Sequence, residues 1–322
     1  MSTIDVPTRL ALNANYYLDL ISFSLLCYEY FITLELEVSR YWGLRPTVPN
    51  VLFFVNRYGM LFGTIPIVFQ SFWTSPSTPH KLAWTRCESL HFYHQWFAVV
   101  SQIVIGVMLI LRTYALYERN RRVLALMVFV SLGVIAVGAW AIIGGPNPKP
   151  GDEVPQLHLY IGCSTGLTSA ACVSSPLPAW AGNGFFDCTI FLLTLYRALS
   201  RSRARSTELV TVLLRDGSIY FGVIILVNLS NILTFVLAGP YARGAPTTLA
   251  NSVSSVMITR LMLNLRDPSL FSMAGRFSTS ATLTGEAMFS TYLDPNVAGG
   301  LGTTNHVDTN PDDIELQERL YP

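Results

Sequence analysis

Apolar residues in this chain come in long runs, separated by short polar breaks. Seven runs stand out, near residues 14–34, 51–72, 94–116, 123–143, 178–199, 217–238 and 247–264. A helix needs about 20 mostly apolar residues to cross the hydrocarbon of a bilayer. Barrel strands would instead show about ten residues of strict alternation. Unbroken runs of this length predict helices, which satisfy their own backbone donors and acceptors inside lipid. The first run, "NANYYLDLISFSLLCYEYFITL", carries Asp19 and Glu29, and the last, "TTLANSVSSVMITRLMLNL", is short and polar. The expected fold is an all-α integral membrane protein: a seven-transmembrane helix bundle over residues 1–268. Residues 269–322 are rich in Ser, Thr and Gly with an acidic end, and are expected to form a disordered cytoplasmic tail.

Composition supports this reading. Hydrophobic residues make up 51% of the chain, charged residues 13%, and mean hydropathy is +0.41. A soluble chain of this size would need a far more polar surface. A formal net charge of +1 argues against a nucleic-acid partner, which calls for a strongly basic face. The polar start "MSTIDVPTRLALNAN" lacks the compact apolar core of a cleavable leader, so the first run is expected to act as an uncleaved anchor.

Charge also orients the bundle. When the loops are sorted to alternate sides, sixteen of the Lys and Arg residues fall on one side and five on the other. Positive residues favour the cytoplasmic side, so the amino terminus is expected outside and the carboxyl terminus inside. The knot "LILRTYALYERNRRV" becomes the cytoplasmic turn between the third and fourth helices. Arg119, Arg121, Arg122, Arg201, Arg203 and Arg205 then form a basic inner face. Such a face attracts anionic inner-leaflet lipids or docks a cytoplasmic signalling partner.

The five cysteines divide by side. Cys27 and Cys188 lie within helices one and five, whereas Cys87, Cys163 and Cys172 fall on the outer, oxidising side. A bridge from Cys87 to either of the other two would pin the long outer loop over the bundle. Cys163 to Cys172 is the competing local pairing.

Polar groups inside lipid are costly and therefore informative. Asp187 and Asn183 share a face of helix five, Asn228 and Asn231 sit on helix six, Asn251 on helix seven and Gln102 on helix three. Together they form a candidate ligand-binding cavity open to the outer side; interhelical packing bonds are the alternative. Glu29, Thr33 and Glu37 share a face at the inner end of helix one, and a structural ion pair between Glu29 and Arg57 is expected there. Gly59 and Gly63, four apart, suit a close helix approach. Glu88, His91 and His94 step along the start of helix three, but a zinc site needs more protein ligands than these. No metal or cofactor is expected. The chain shows no GxSxG, HExxH or phosphate-binding glycine loop in a suitable context, so enzyme activity is the minority expectation.

"YEYFITLELEVSRYW", "LFFVNRYG", "LILRTYALYERNRRV" and "TRLMLNLRDP" together resemble a fungal membrane-protein family, abundant in basidiomycetes, named for domain of unknown function 6533. The named domain would cover residues 19–62, with the wider pattern running to about residue 268. The resemblance implies a multi-helix membrane protein, often seven-spanning, and supplies no catalytic residues. The leading expectation is a receptor-like sensor of an outer ligand, in the plasma membrane or an endomembrane. The alternatives are a small-solute or proton-coupled transporter using Asp187, and a metal-dependent membrane hydrolase.

Overall fold

The computed structural model describes residues 5–43, 46–72, 80–143, 176–204 and 208–266. Side chains are described for all of these except 80–88, 141–143, 176, 198, 201–204 and 208–218. Eight helices and no strands occur among the described residues: α1 (Val6–Tyr41), α2 (Val48–Gly63), α3 (Ile65–Phe72), α4 (His80–Leu116), α5 (Arg121–Ile143), α6 (Pro176–Ala204), α7 (Glu208–Leu237) and α8 (Thr247–Asn264). The tail and the long connection holding Cys163 and Cys172 lie outside the described residues, as does the Cys87 side chain. Cys27 and Cys188 are free thiols.

Five segments are long and apolar enough to cross a membrane: Val6–Tyr41, Val48–Phe72, Ser89–Leu116, Arg121–Trp140 and Ile219–Leu237. Their surfaces are inside-out relative to those of a soluble protein. The buried stripe of α1 runs Leu12, Asp19, Ser22, Leu26, Glu29, Thr33, Glu37 and Tyr41, which is largely polar. Its exposed face carries Leu10, Tyr17, Ile21, Tyr28, Phe31 and Val38. On α5, Phe129, Leu132, Ile135 and Trp140 are likewise exposed. Apolar patches on this scale are unstable in water and suit hydrocarbon. The chain is a multi-pass membrane protein.

Sequence pattern sets the ends and breaks of the helices. At the start of α1, the Asp5 carboxylate accepts from the Val6 amide at 3.0 Å, satisfying one of the donors a helix start leaves open. Past its end, Gly43 takes a φ of +80°, the left-handed geometry that glycine adopts without penalty. Pro66 divides α2 from α3, because it has no amide to offer the Phe62 carbonyl. The Ile67 amide bonds to the Thr64 carbonyl at 3.1 Å, and the Gly63 carbonyl accepts from the Tyr93 hydroxyl of α4 at 2.9 Å. At the α4–α5 turn, Glu118 and Arg119 have φ of 54° and 63°, a costly region for residues with a Cβ. Several contacts hold that turn: Arg197 to Glu118 at 2.8 Å, Tyr117 to the Leu193 carbonyl at 2.8 Å, and the Asn120 side chain to the Arg122 amide at 3.0 Å.

Helix α8, the most polar of the seven runs, lies inside the bundle against α1, α2, α4 and α7. Thr248, Asn251, Ser252, Ser254, Ser255 and Thr259 are all buried on it, alongside Val256, Ile258, Leu261, Met262 and Leu263. Helix α6 packs between α5 and α7 and also touches α4. The main apolar core gathers Tyr41, Phe53, Ile105, Leu109, Phe186, Ile190, Phe221 and Ile258. Tyr41 and Phe53 stack with centroids 3.8 Å apart.

The two glycines of α2 behave differently. A Cβ on Gly63 would fall on the Phe97 ring, whereas one on Gly59 meets nothing within 4 Å. Gly63→Val is therefore expected to cost about 1–3 kcal/mol through overpacking. Gly59→Ala should be neutral or gain up to about 1 kcal/mol of helix stability. Thermal unfolding of the two variants in detergent checks the contrast; equal effects would show that α2 does not depend on the approach at Gly63.

Candidate functional site

Among the described residues the buried polar groups form several hydrogen-bonded clusters, four of which bear on the candidate site residues. The first joins α1 to α2. Arg57 Nε and Glu37 Oε2 lie 2.6 Å apart, an ion pair rather than a directed hydrogen bond. Arg57 also donates to Thr33 Oγ1 at 2.7 Å and to the Tyr30 carbonyl at 3.0 Å, and its guanidinium lies over the Tyr30 ring. Glu37 Oε1 accepts from Tyr58 at 2.8 Å and Trp42 at 3.0 Å. The other oxygen of Glu37 and the two terminal nitrogens of Arg57 are thus hydrogen-bonded around the pair, support that a buried ion pair requires.

The expected Glu29–Arg57 pair is not formed. Glu29, two turns from Glu37 on the same stripe, instead takes Arg260 of α8, which donates Nε and Nη2 to its two oxygens at 2.8 and 2.7 Å. This fork matches the planar guanidinium to the carboxylate. Sequence spacing placed both acids on one face of α1 but could not rank which basic residue came level with which acid. Arg260 had been assigned only to the count of inner charges.

The second cluster is at the arginine-rich end, where helix α8 finishes. Arg40 donates to the Leu263 carbonyl at 2.6 Å and Tyr41 to the Met262 carbonyl at 3.3 Å. These serve carbonyls that a helix end leaves open. Arg266 donates to Asn50 Oδ1 and to the Arg40 carbonyl, and its guanidinium lies 4.1 Å from the Tyr41 ring centroid. Arg119, Arg121 and Arg122 are exposed at the α4–α5 turn. The side chains of Arg201 and Arg203 and all of Arg205 lie outside the described residues. Arg112, by contrast, is buried, with its guanidinium over Phe221.

The third cluster joins three of the six expected ligand residues, Asp187, Asn183 and Asn228. Asp187 is buried on α6, and its Oδ2 accepts from Asn228 of α7 at 2.6 Å and from Asn183 at 3.3 Å. Asn231, one turn along α7, instead takes the Thr247 hydroxyl at 3.2 Å. Asn228 Oδ1 and Asn231 Nδ2 are buried without a protein partner. Gln102 and Asn251 bond to each other at 2.6 Å, apart from Asp187, and tie α4 to α8.

A fourth cluster was not anticipated. Asp19 of α1 is buried and accepts from Ser71 of α3 at 2.5 Å. The Thr248 hydroxyl of α8 lies 3.1 Å from His94 Nε2 of α4. Asp19 was visible in the sequence as a polar interruption of an apolar run. Its partner comes from a helix distant in sequence, and no local spacing marks it. His91 lies 3.0 Å from Gln95, so the two histidines face different partners. No group of three His, Cys, Asp or Glu residues able to hold a metal occurs among the described residues.

The α1–α2 pair gives a direct test. Glu37→Ala leaves the Arg57 charge buried without its partner, and is expected to cost about 3–5 kcal/mol. The double variant Glu37→Ala, Arg57→Met should recover most of that loss in thermal unfolding. A double variant no more stable than the single one would show that the two charges do not act as a unit.

No curated protein and no solved structure matches the chain. A family model does match, over residues 17–62, and is described as a family of unknown function (DUF6533). That stretch spans most of α1 and nearly all of α2, and so contains Asp19, Glu29, Thr33, Glu37, Asn56 and Arg57.

Proposed function

We propose that the chain is a seven-span membrane protein, with its amino terminus outside and its carboxyl terminus in the cytoplasm, acting as a receptor-like sensor of an outer-side ligand. The observation that carries this reading is helix α8. It is polar and buried, bonds His94 of α4 at one end, and is tied to Arg40, Tyr41 and, through Arg266, Asn50 at the other. A single stiff element thus joins a polar site on the proposed outer side to the arginine-rich end. Helices α6 and α8 supply the sixth and seventh crossings; their polar groups face protein, which is why they look too polar for lipid. The exposed Arg119, Arg121 and Arg122 would meet anionic inner-leaflet lipids, at about 1 kcal/mol each, or a signalling partner. The membrane is the plasma membrane or an endomembrane, and the resemblance to fungal proteins suggests a fungal source.

Topology is the first test. An amino-terminal epitope should be reachable by antibody on intact cells, and a carboxyl-terminal one only after permeabilisation. Changing Arg119, Arg121 and Arg122 to Gln should produce a mixture of orientations, because these residues supply much of the inner charge. An amino terminus found only on the cytoplasmic side would end the sensor reading.

A second reading, a proton-coupled or small-solute transporter, is favoured by Asp187. Its carboxylate is buried against two amides, with no Lys or Arg ion-pairing it among the described residues. In proteoliposomes, dissipation of a pH gradient should fall at least tenfold in Asp187→Asn. Equal rates in the wild type and variant would remove this reading.

A further inference from the structure

We propose that Asp187, Asn183 and Asn228 form a binding site for a monovalent metal cation, sodium, in the seam between α6 and α7. Such a site deepens the second reading above by naming its ion, and rests on that reading for transport alone. Binding itself requires neither reading.

Charge and unserved oxygens carry it. Asp187 is 5% exposed and Asn228 1%. Asp187 Oδ2 takes both amide donors, from Asn228 at 2.6 Å and from Asn183 at 3.3 Å. Donors turned toward a carboxylate favour its charged form. Its second oxygen, Oδ1, takes no donor among the described residues. Asn228 spends its nitrogen on the carboxylate, so its own Oδ1, buried and without a protein partner, lies one amide group away. Asn183 likewise turns its nitrogen to Asp187, and its oxygen takes no donor among the described residues. One negative charge and three unserved oxygens thus meet at one point of the seam.

Three small occupants answer this differently. A water can donate to two of the oxygens, but leaves the buried charge uncompensated. A proton on Asp187 compensates the charge, but its single O–H serves at most one amide oxygen. A hard cation compensates the charge and gathers carboxylate and amide oxygens together. The ion is monovalent because the site has one carboxylate; a divalent ion would leave a positive charge buried.

Packing selects an ion over an organic cation. A Cβ on Gly184 would come within 2.9 Å of Ile232 Cδ1, so α6 and α7 approach closely beside Asp187. Trp180 and Phe235 stack across the same seam toward the start of α6, with centroids 6.4 Å apart. The positive groups of the neighbouring helices are engaged elsewhere. Helix α5 has no Lys, Arg or His from Val123 to Trp140. Arg197 of α6 pairs with Glu118, and Arg112 of α4 lies over Phe221, two turns along α7 from Asn228. A bound sodium ion would therefore tie α6 to α7 with no net charge.

The test uses the full chain in lipid nanodiscs at constant ionic strength, with sodium chloride replacing choline chloride. The wild-type thermal midpoint should rise along a saturable curve, because an ion that binds only the folded chain stabilises it. Sodium should also shift the carboxylate stretches in infrared difference spectra. Asp187→Asn keeps the shape of the side chain without its charge, and should fold and lose both responses. Asn228→Ala should weaken the sodium affinity at least tenfold. If Asn228→Ala does not fold, Asp187→Asn decides. A wild type indifferent to sodium, or an Asp187→Asn variant that responds as the wild type does, would overturn the site. So would a carboxylic-acid band of Asp187 at neutral pH that sodium does not remove, since the occupant would then be a proton. Sodium binding without sodium flux in proteoliposomes would overturn the transport reading alone; proton flux that depends on Asp187, with no sodium binding, would overturn the sodium site alone.

Discussion

A polar group left without a partner in hydrocarbon costs several kcal/mol, and helix α8 carries hydroxyls and amides on nearly every side. Lipid cannot accommodate such a helix, so other helices must surround it. The polar stripe of α1, which would be equally costly in lipid, turns inward and meets it. Asn56 of α2 donates to the Ser255 carbonyl and to Thr259 Oγ1, Gln102 of α4 takes Asn251, and Arg260 reaches back to Glu29. What is left for the lipid is the apolar side of α1, α4 and α7 and most of α5. Each helix thus keeps its polar side on protein and its apolar side on the bilayer.

The two ends of α8 are held by different chemistry. At the arginine-rich end, Arg40 and Tyr41 donate to its last carbonyls, where positive charge also complements the helix dipole. At the other end, Thr247 and Thr248 bond to side chains on α7 and α4, an amide and an imidazole. One end is fixed by permanent charges, while the other rests on hydrogen bonds between side chains.

How much of this was legible in the sequence depends on the range of the interaction. The seven apolar runs fall on the eight helices of the described residues, one run covering both α2 and α3, because lipid acts on each segment separately. Their ends were read short, since α1 begins at Val6 rather than near residue 14 and α4 at His80 rather than near 94. Polar turns at a membrane surface continue a helix without adding to the apolar pattern. The proline break at Thr64 was missed inside a run that looked continuous. Asn183, Asp187 and Asn228 were legible as polar residues in apolar surroundings, and they do meet. Gln102, Asn231 and Asn251 were chosen by the same rule but bond elsewhere, because depth along a helix does not say which neighbour it faces. For the same reason Glu29 was assigned to Arg57 and Asp19 was left without a role.

Two of the acids on α1, Glu37 and Glu29, also impose an order on how the chain enters the membrane. Glu37 finds Arg57 on the very next helix, so α1 and α2 can leave the insertion machinery with that pair already closed. Glu29 must wait for Arg260, which is made some 230 residues later. Until the last helix arrives, one carboxylate of the first has no permanent partner and must be sheltered by a proton, by water or by a chaperone. Translation of α8 then acts as a completion signal, and a chain truncated before it would keep an exposed acid that membrane quality control can recognise.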